Sequence, residues 1–310
     1  MKPIQQRAIT VGRRAFLRAT AAGCTGAILA SPETSGAAAE VPGPAPSEDY
    51  RIEHGRIKFS VYGWCFAPMP MEQLIRACHR MGVTGMDVAK EHYPLLRELG
   101  MQVTMTGGHG FTTGPFSRKN HAFCIEKLRG AIDTAVQWGC TKVITFTGMR
   151  EKGTTDEQGA ANCVDCWKQV IGYAEQKGVT LCLEILNTRD SSHPMKGHPG
   201  YFGDDVERCI DLIKRIDSPR MKLLFDVYHV QVMNGDLIRR IRQHKDYIGH
   251  YHVAGAPGRN EPDETQEINY PAVLRAILAT GYTGLVSLEF IPSWPDKLAA
   301  LRHAVRICDV

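Results

Sequence analysis

Apolar and amphipathic segments alternate along this chain from Ile57 to its C-terminal end. Eight short apolar runs are predicted to be strands, and they cover residues 57–63, 83–88, 101–106, 141–148, 179–187, 221–229, 247–255 and 284–290. Eight segments between or after them have helical spacing, at 71–81, 92–99, 118–138, 158–177, 204–217, 233–244, 269–280 and 294–308. Glycine follows several of these segments, as at Gly82, Gly139 and Gly178, which is typical of a helix end.

Nearly continuous apolar strands that alternate with helices are typical of a parallel sheet covered by helices. Eight such units in about 250 residues match the number and size of a closed (β/α)₈ barrel. We therefore predict an α/β fold, a single-domain (β/α)₈ TIM barrel that forms the catalytic domain over residues 55–310. An open doubly wound sheet is the alternative. It is disfavoured because no G-x-G-x-x-G follows the first run and because the acidic strand ends come in the second half of the chain.

The N-terminal end of the chain has a different composition. Its basic first segment is followed by a short run of small and apolar residues at 19–30 and by three alanines that end at Ala39. This order predicts a signal peptide over residues 1–39. The stretch G-R-R-A-F-L-R at 12–18 resembles the bacterial twin-arginine signal, which implies export by the twin-arginine machinery to a periplasmic or secreted location. Acylation of Cys24, as in a lipoprotein, stays an alternative.

The charge balance of the chain depends on this signal peptide. Cleavage after Ala39 removes five basic residues and one acid, so the net charge of +4 falls to about zero. The mature chain then lacks the basic surface that binding to a phosphate backbone needs, and we expect no nucleic-acid partner. The apolar run at 19–30 is too short to span a bilayer of roughly 30 Å, so we expect no stable membrane insertion. Residues 40–54, which begin with a Pro-rich stretch, are predicted to be a linker.

Nine cysteines remain after cleavage, an odd number that cannot all pair within the chain. Cys163 and Cys166 form a C-x-x-C pair, the spacing found in many zinc sites. A zinc site of this type needs a second pair of ligands at similar spacing, and none is nearby. We therefore predict that these two residues lie on a helix surface.

Four successive apolar runs in the second half of the chain each carry a residue that can bind a metal. These residues are Glu184, Asp226, His252 and Glu289. A carboxylate inside such a run is costly to bury without a partner. In a barrel, the carboxyl ends of the last four strands lie side by side at the catalytic mouth. Three carboxylates and one imidazole there favour Mg²⁺, Mn²⁺ or Co²⁺ over a thiolate zinc site; unrelated buried polar groups are the alternative.

Longer motifs around these residues resemble the sugar isomerase/epimerase superfamily of xylose isomerase-like TIM barrels, and within it the hydroxypyruvate isomerase branch most closely. The motifs are L-E-I-L-N-T-R-D at 183–190, H-P-G-Y-F at 198–202, F-D-V-Y-H at 225–229, I-G-H-Y-H-V-A-G-A-P-G-R-N-E-P at 248–262 and E-I-N-Y at 267–270. The resemblance covers residues 55–310 and is strong in the second half. It implies the same four metal ligands, with Glu184 and Glu289 also acting as the acid/base pair.

The same resemblance implies residues that contact the substrate. His229 and Arg259 would each bind a substrate oxygen, and Glu261 would join this set by orienting Arg259. His250 is expected to be structural and to point to the opposite face of the strand from His252. His109 and Lys90, in loops at the mouth, are expected to lie on the surface, with a role in substrate specificity as the alternative.

The motifs also depart from that branch in three ways. Many hydroxypyruvate isomerases carry Gln where this chain has His252, whereas the epimerase branches carry His. The segment E-I-L-N stands where E-P-x-N is common, and enzymes of glyoxylate metabolism are usually cytoplasmic. These departures concern the substrate and leave the metal site untouched.

The function predicted from the sequence is therefore a divalent-metal-dependent isomerase of a small hydroxy-carbonyl compound, by enediolate proton transfer between two glutamates. The alternatives are a ketose 3-epimerase, a related barrel lyase or hydrolase acting on a sugar derivative in the cell envelope, and a non-catalytic sugar-binding module. The expected partners are a small sugar-like substrate, the export machinery and a second copy of the chain in a homo-oligomer.

Overall fold

Nine short parallel strands line the centre of the computed structural model, which describes residues 46–310. The strands β1 to β9 span Lys58–Tyr62, Gly85–Asp87, Gln102–Val103, Thr106–Gly107, Lys142–Thr145, Thr180–Glu184, Met221–Asp226, Ile248–Val253 and Leu285–Leu288. The predicted signal peptide, Cys24 and the first residues of the linker lie outside the described residues.

The strand order shows a nearly closed barrel. Within the sheet the strands follow the order β3-β2-β1-β9-β8-β7-β6-β5-β4, so the first and last strands of the chain pair in the middle. The two edge strands, β3 and β4, are separated along the chain only by Thr104 and Met105. The predicted (β/α)₈ barrel is confirmed, with one difference: the single strand expected at 101–106 is divided into two.

Helices cover the outside of this barrel. The helices α1 to α9 span Met71–Met81, Tyr93–Glu98, His121–Trp138, Asp156–Lys177, Val206–Ile216, Val227–Met233, Leu237–Gln243, Tyr270–Ala279 and Lys297–Cys308. The helix predicted at 233–244 is therefore shorter, α7 at Leu237–Gln243, and a separate helix α6 begins at Val227, inside the run 221–229 that was predicted to be a strand. The two helices are separated at Gly235 and Asp236, which have φ angles of 62° and 56°. No helix within residues 46–310 is long and apolar enough to cross a membrane.

Helix α4 shows how local sequence sets these elements. Thr155 caps its N-terminus in a capping box with Gln158, and Gly178 ends it in the left-handed conformation. Its inner face carries Cys163 and Cys166, both fully buried. The prediction that these two cysteines lie on a helix surface is therefore wrong. They are three residues apart, so they share the apolar face that packs inward, where a thiol behaves as a small hydrophobic group.

The strands present different residues to the two sides of the barrel wall. Outward side chains such as Leu183 and Phe225 belong to the large apolar core under the helices. His250 and His252 both face the interior, and their ring centroids are 5.1 Å apart. The prediction that they lie on opposite faces is wrong, because residues two apart on a strand share a face. His250 lies beside Ser287, with Nε2 2.8 Å from the serine Oγ.

The end of the predicted linker is attached to the barrel. The Asp309 side chain accepts hydrogen bonds from the backbone N–H groups of Glu53, His54 and Gly55 at 2.7–3.1 Å. The N–H of Ile52 donates to the carbonyl of Met81 at 2.9 Å. These contacts hold the chain in place before it enters β1.

Candidate functional site

The four predicted ligands lie together at the carboxyl ends of the last four strands. Glu184 and Asp226 are the last residues of β6 and β7, His252 precedes the last residue of β8, and Glu289 directly follows β9. All four side chains are buried, with at most 6% of each residue exposed. The strand-end pattern in the sequence therefore identified residues that the fold brings together.

Their atoms converge on one point. Nδ1 of His252 lies 3.1 Å from Oε1 of Glu184, 2.9 Å from Oε2 of Glu289 and 3.9 Å from Oδ2 of Asp226. One ligand atom from each of the four residues lies within 4.8 Å of the others. Ligands at about 2.0–2.6 Å from a hard cation are at most about 4–5 Å from one another. The four atoms therefore fit around a single divalent cation.

Asp226 supports this fit. Its Oδ1 accepts a hydrogen bond from the backbone N–H of His229 at 2.9 Å, and this bond caps the N-terminus of helix α6. Its Oδ2 is fully buried and has no hydrogen-bond partner anywhere in residues 46–310. Arg259 and His252 lie 3.8 and 3.9 Å away, too far for a hydrogen bond. A buried carboxylate oxygen that accepts no hydrogen bond is destabilising, and a bound cation would compensate for it.

Burial and neighbouring charged side chains shift the pKa values of the four clustered residues. Burial raises the pKa of Glu184 and of Asp226. Burial also acts to raise the pKa of Glu289, but Arg259 and His252 outweigh it and hold that pKa below its usual range. The pKa of His252 is raised, because Glu289 and Glu184 outweigh the effect of its burial. The cluster thus has an excess of carboxylates that favours a cation.

His229 lies beside this cluster and is fully buried. Its Nδ1 accepts a hydrogen bond from the backbone N–H of Asn187 at 3.0 Å. Burial holds its pKa well below the usual range, so the ring is neutral and its proton is on Nε2. Nε2 lies 3.9 Å from Oδ2 of Asp226 and is an unused donor among the described residues. This geometry is compatible with the predicted contact to a substrate oxygen.

Arg259 is held by a residue other than the one expected. Its Nη2 donates to Oε2 of Glu289 at 2.6 Å, and its Nη1 donates to the carbonyl of Met195. Glu261 instead accepts hydrogen bonds from the backbone N–H and the Oγ of Ser293. Arg259 is therefore oriented by Glu289, whereas Glu261 ties its loop to the segment after β9.

A cavity of about 540 Å³ opens above the cluster. Glu184, Glu289 and Arg259 lie in its wall. Three further wall residues were not singled out in the sequence: Tyr62, Trp64 and Asp87. Trp64 donates from Nε1 to Oε1 of Glu289 at 3.1 Å. Asp87 carries the same signal as the ligands, an acid at the end of an apolar run, and could have been found by it.

Lys90 and His109, the two mouth-loop residues expected on the surface, differ in their exposure. Lys90 is exposed, as expected. His109 is 3% exposed, lines the cavity and has its Nε2 2.9 Å from Oγ1 of Thr145, so the expectation of a surface position is wrong for it. The loop that carries His109 folds inward over the barrel.

Two curated relatives are similar to this chain over part of its length. The 2-oxo-tetronate isomerase of Cupriavidus necator is 34% identical over 169 residues, which are 53% of this chain and 62% of that protein. The putative hydroxypyruvate isomerase of Drosophila melanogaster is 31% identical over 204 residues, 61% of this chain and 70% of that protein. The first alignment thus spans less than two thirds of the relative.

Solved structures show the same barrel at lower identity. The apo structure of 3-keto-D-glucoside 4-epimerase from E. coli matches with a TM-score of 0.69 at 18% identity, over 81% of this chain and 100% of that chain. At this identity the similarity concerns the fold alone. The sequence profile of the xylose isomerase-like TIM barrel family matches residues 71–308. That match covers most of the barrel and all four clustered residues, and the chain therefore belongs to the xylose isomerase-like TIM barrel family.

Proposed function

We propose that this protein is a divalent-metal-dependent isomerase of a small hydroxy-carbonyl compound, similar in activity to hydroxypyruvate isomerases. The observation that carries the proposal is the pair Glu184 and Glu289, whose oxygens reach the same imidazole nitrogen from β6 and β9. Two carboxylates beside one substrate site can serve as the base and the acid of a proton transfer between neighbouring carbons. The names of the curated relatives, both isomerases, support the same class of reaction.

Glu184, Asp226, His252 and Glu289 would hold the cation. Their oxygen-rich donor set suits Mg²⁺, Mn²⁺ or Co²⁺. A divalent cation there supplies the charge that polarises a substrate carbonyl and stabilises an enediolate.

The protein's own groups carry the proton. One of Glu184 and Glu289 takes it from a carbon next to the carbonyl, and a proton then returns to the neighbouring carbon. The Nε2–H of His229 donates to a substrate oxygen. Arg259 holds Glu289 in place and keeps that carboxylate ionised.

The test is a substrate panel assayed in D₂O with metal-reconstituted protein. We expect Glu184→Gln and Glu289→Gln each to lose about 10²–10⁴-fold or more in kcat, because they remove a general base or acid. Metal content is measured on the same samples, since Gln holds a cation more weakly. Glu207→Gln, at an exposed glutamate on α5, is the control variant. Full activity in metal-replete Glu289→Gln protein would exclude the paired-carboxylate mechanism.

A ketose 3-epimerase is the second candidate. It is favoured by His252, which the epimerase branches share, and by the size of the cavity. The products distinguish the two reactions: an isomerase moves the carbonyl to the neighbouring carbon, whereas an epimerase returns the proton, or deuterium from D₂O, to the same carbon.

We further propose that the protein acts in the periplasm or outside the cell, as its N-terminal sequence predicts.

A further inference from the structure

Asp87 is a buried carboxylate in the cavity wall that the proposed proton transfer does not use. It ends β2 and is 7% exposed. Its Oδ2 is buried and makes no hydrogen bond to any group of the described chain, although the cavity lies directly beside it. Burial raises the pKa of Asp87 to about 8, with His252, Glu289, Lys142 and the backbone N–H of Met105 as the other influences. A buried polar atom of this kind needs a partner, and a ligand in the cavity can supply it.

The position of Asp87 sets a length for that ligand. Asp87 pairs in register with Tyr62 on β1, and β1 pairs in turn with β9, beyond which Glu289 lies. Two strand spacings of roughly 4.8 Å therefore separate Asp87 from the strand that leads to Glu289. An extended chain of three carbons spans only about 2.5 Å. This backbone separation and the cavity volume of about 540 Å³ favour a compound longer than a triose.

The remaining wall of the cavity sets the charge of that ligand. Away from the cluster it is formed mainly by apolar and aromatic side chains, including Met71, Val88, Phe111 and Phe146. The one Lys or Arg side chain that lines the cavity within residues 46–310 is Arg259, which is engaged by Glu289. Burial lowers the pKa values of His109 and His198 to about 4, so both rings are neutral near pH 7. No cation is left among the described wall residues to bind a phosphate or carboxylate at the far end of a substrate.

We propose that Asp87 is a specificity-determining residue that hydrogen-bonds the C4 or C5 hydroxyl group of a neutral polyhydroxy ketone of four to six carbons, beyond the carbons whose oxygens face the ligand cluster. The inference rests on the proposed function and names the substrate class of the same site. A hydroxyl group satisfies Oδ2 whichever of the two carries the proton.

The experiment measures kcat/KM over a series of chain lengths and over deoxy analogues. The series is hydroxypyruvate and dihydroxyacetone, then erythrulose, the pentuloses and the hexuloses, all with metal-replete full-length protein. The best ketose is then compared with analogues that lack the hydroxyl at C4 or at C5. In the wild type we expect kcat/KM to be at least about tenfold higher for the best ketose than for the trioses. We expect a similar loss for one of the two deoxy analogues, because the buried Asp87 is then left unpaired.

Variants of Asp87 separate recognition from a structural role. In Asp87→Ala the hydrogen bond to the hydroxyl is already lost. Removing that hydroxyl from the ketose should therefore lower the kcat/KM of the variant by less than about twofold. Asp87→Asn, which keeps one oxygen and the size of the side chain, should restore part of the discrimination. Asp309→Asn changes an equally buried aspartate next to the start of β1 and should leave the discrimination at its wild-type value.

The outcomes distinguish this inference from the proposed function. Turnover of a triose as efficient as that of every longer ketose would overturn the role of Asp87 and leave the isomerase proposal in place. An equal loss of kcat/KM for the deoxy analogue in the wild type and in Asp87→Ala would also overturn the role of Asp87. A metal-replete protein that turns over no member of the series would overturn both.

Discussion

The side-chain amide of Asn187 lies 2.7 Å from Nδ1 of His229 and joins the loop after β6 to the start of α6. The same amide donates to the carbonyl of Lys196 at 2.7 Å, and its Oδ1 accepts from the N–H of Asp190 at 3.0 Å. Asn187 thus fixes the His229 ring and the loop at once.

Asn187→Ala should therefore lower kcat/KM by about tenfold or more, as is usual when a group that orients an active-site histidine is removed. The neighbouring variant Thr188→Ala, in the same loop, should change kcat/KM by less than about threefold. Equal losses in both variants would mean that loop stability, and not the orientation of His229, is affected. Metal content should stay the same in both.

The metal hypothesis predicts about one divalent ion per chain. Asp226→Ala and His252→Ala should each lose it, because one missing ligand leaves the others poorly compensated. Saturating metal at about 100 times its Kd should raise the free energy of unfolding of the wild type by about 2.7 kcal/mol and that of these variants by far less. His250→Gln, on the same face of the same strand, should keep the ion. Full occupancy in both ligand variants, measured by elemental analysis, would show that the ligands are others.

Trp64 donates its indole N–H to Glu289, so Trp64→Phe should disturb catalysis more than stability. A hydrogen bond to a charged group contributes roughly 1.5–3 kcal/mol, which corresponds to about a ten- to hundredfold lower kcat. Trp138→Phe, at a tryptophan outside the cavity, is the matched control. An unchanged kcat in Trp64→Phe would mean that Glu289 keeps its position without the indole.

His109 gives the protein a pH-dependent stability. Burial lowers its pKa to about 4, below the roughly 6.5 of an unfolded chain. The unfolded state therefore binds a proton that the folded state does not, and stability is lost as the pH falls from about 6.5 to 4. The slope for one such group approaches 1.4 kcal/mol per pH unit. Urea unfolding between pH 4.5 and 7.5 should show a shallower slope in His109→Gln than in the wild type, and no change in His79→Gln on the exposed side of α1. Equal slopes in all three would refute this role.

The export signal predicts a cellular phenotype. Changing Arg13 and Arg14 together to Lys should leave the precursor in the cytoplasm, because the signal depends on the arginine pair. Arg7→Lys with Arg18→Lys preserves the pair and should be exported normally. Fractionation and immunoblotting measure both. Normal export of the first variant would exclude the twin-arginine pathway.

The sequence by itself determined the barrel and the four clustered residues. Short apolar runs in the strands and a period of 3.6 in the helices are local properties, and they assigned most elements within a few residues. Parallel strands in a barrel also bring their carboxyl ends to one mouth, so the sequence pattern was enough to group Glu184, Asp226, His252 and Glu289. The shared face of His250 and His252 follows from the alternation of side chains along a strand and needed no tertiary information.

Tertiary structure alone decided which side chains meet across the mouth. The pairing of Trp64 with Glu289 joins residues 225 positions apart, and Asp87 faces the cavity because β2, β1 and β9 are neighbours in the sheet. The choice of Glu289 over Glu261 as the partner of Arg259 depends on a loop in which Arg259 has a φ of 56°. Such contacts depend on strand register and loop conformation summed over the whole barrel. Local hydrophobic patterns do not encode these distances, so the size of the cavity and the contacts of its wall residues emerge only once the barrel has closed.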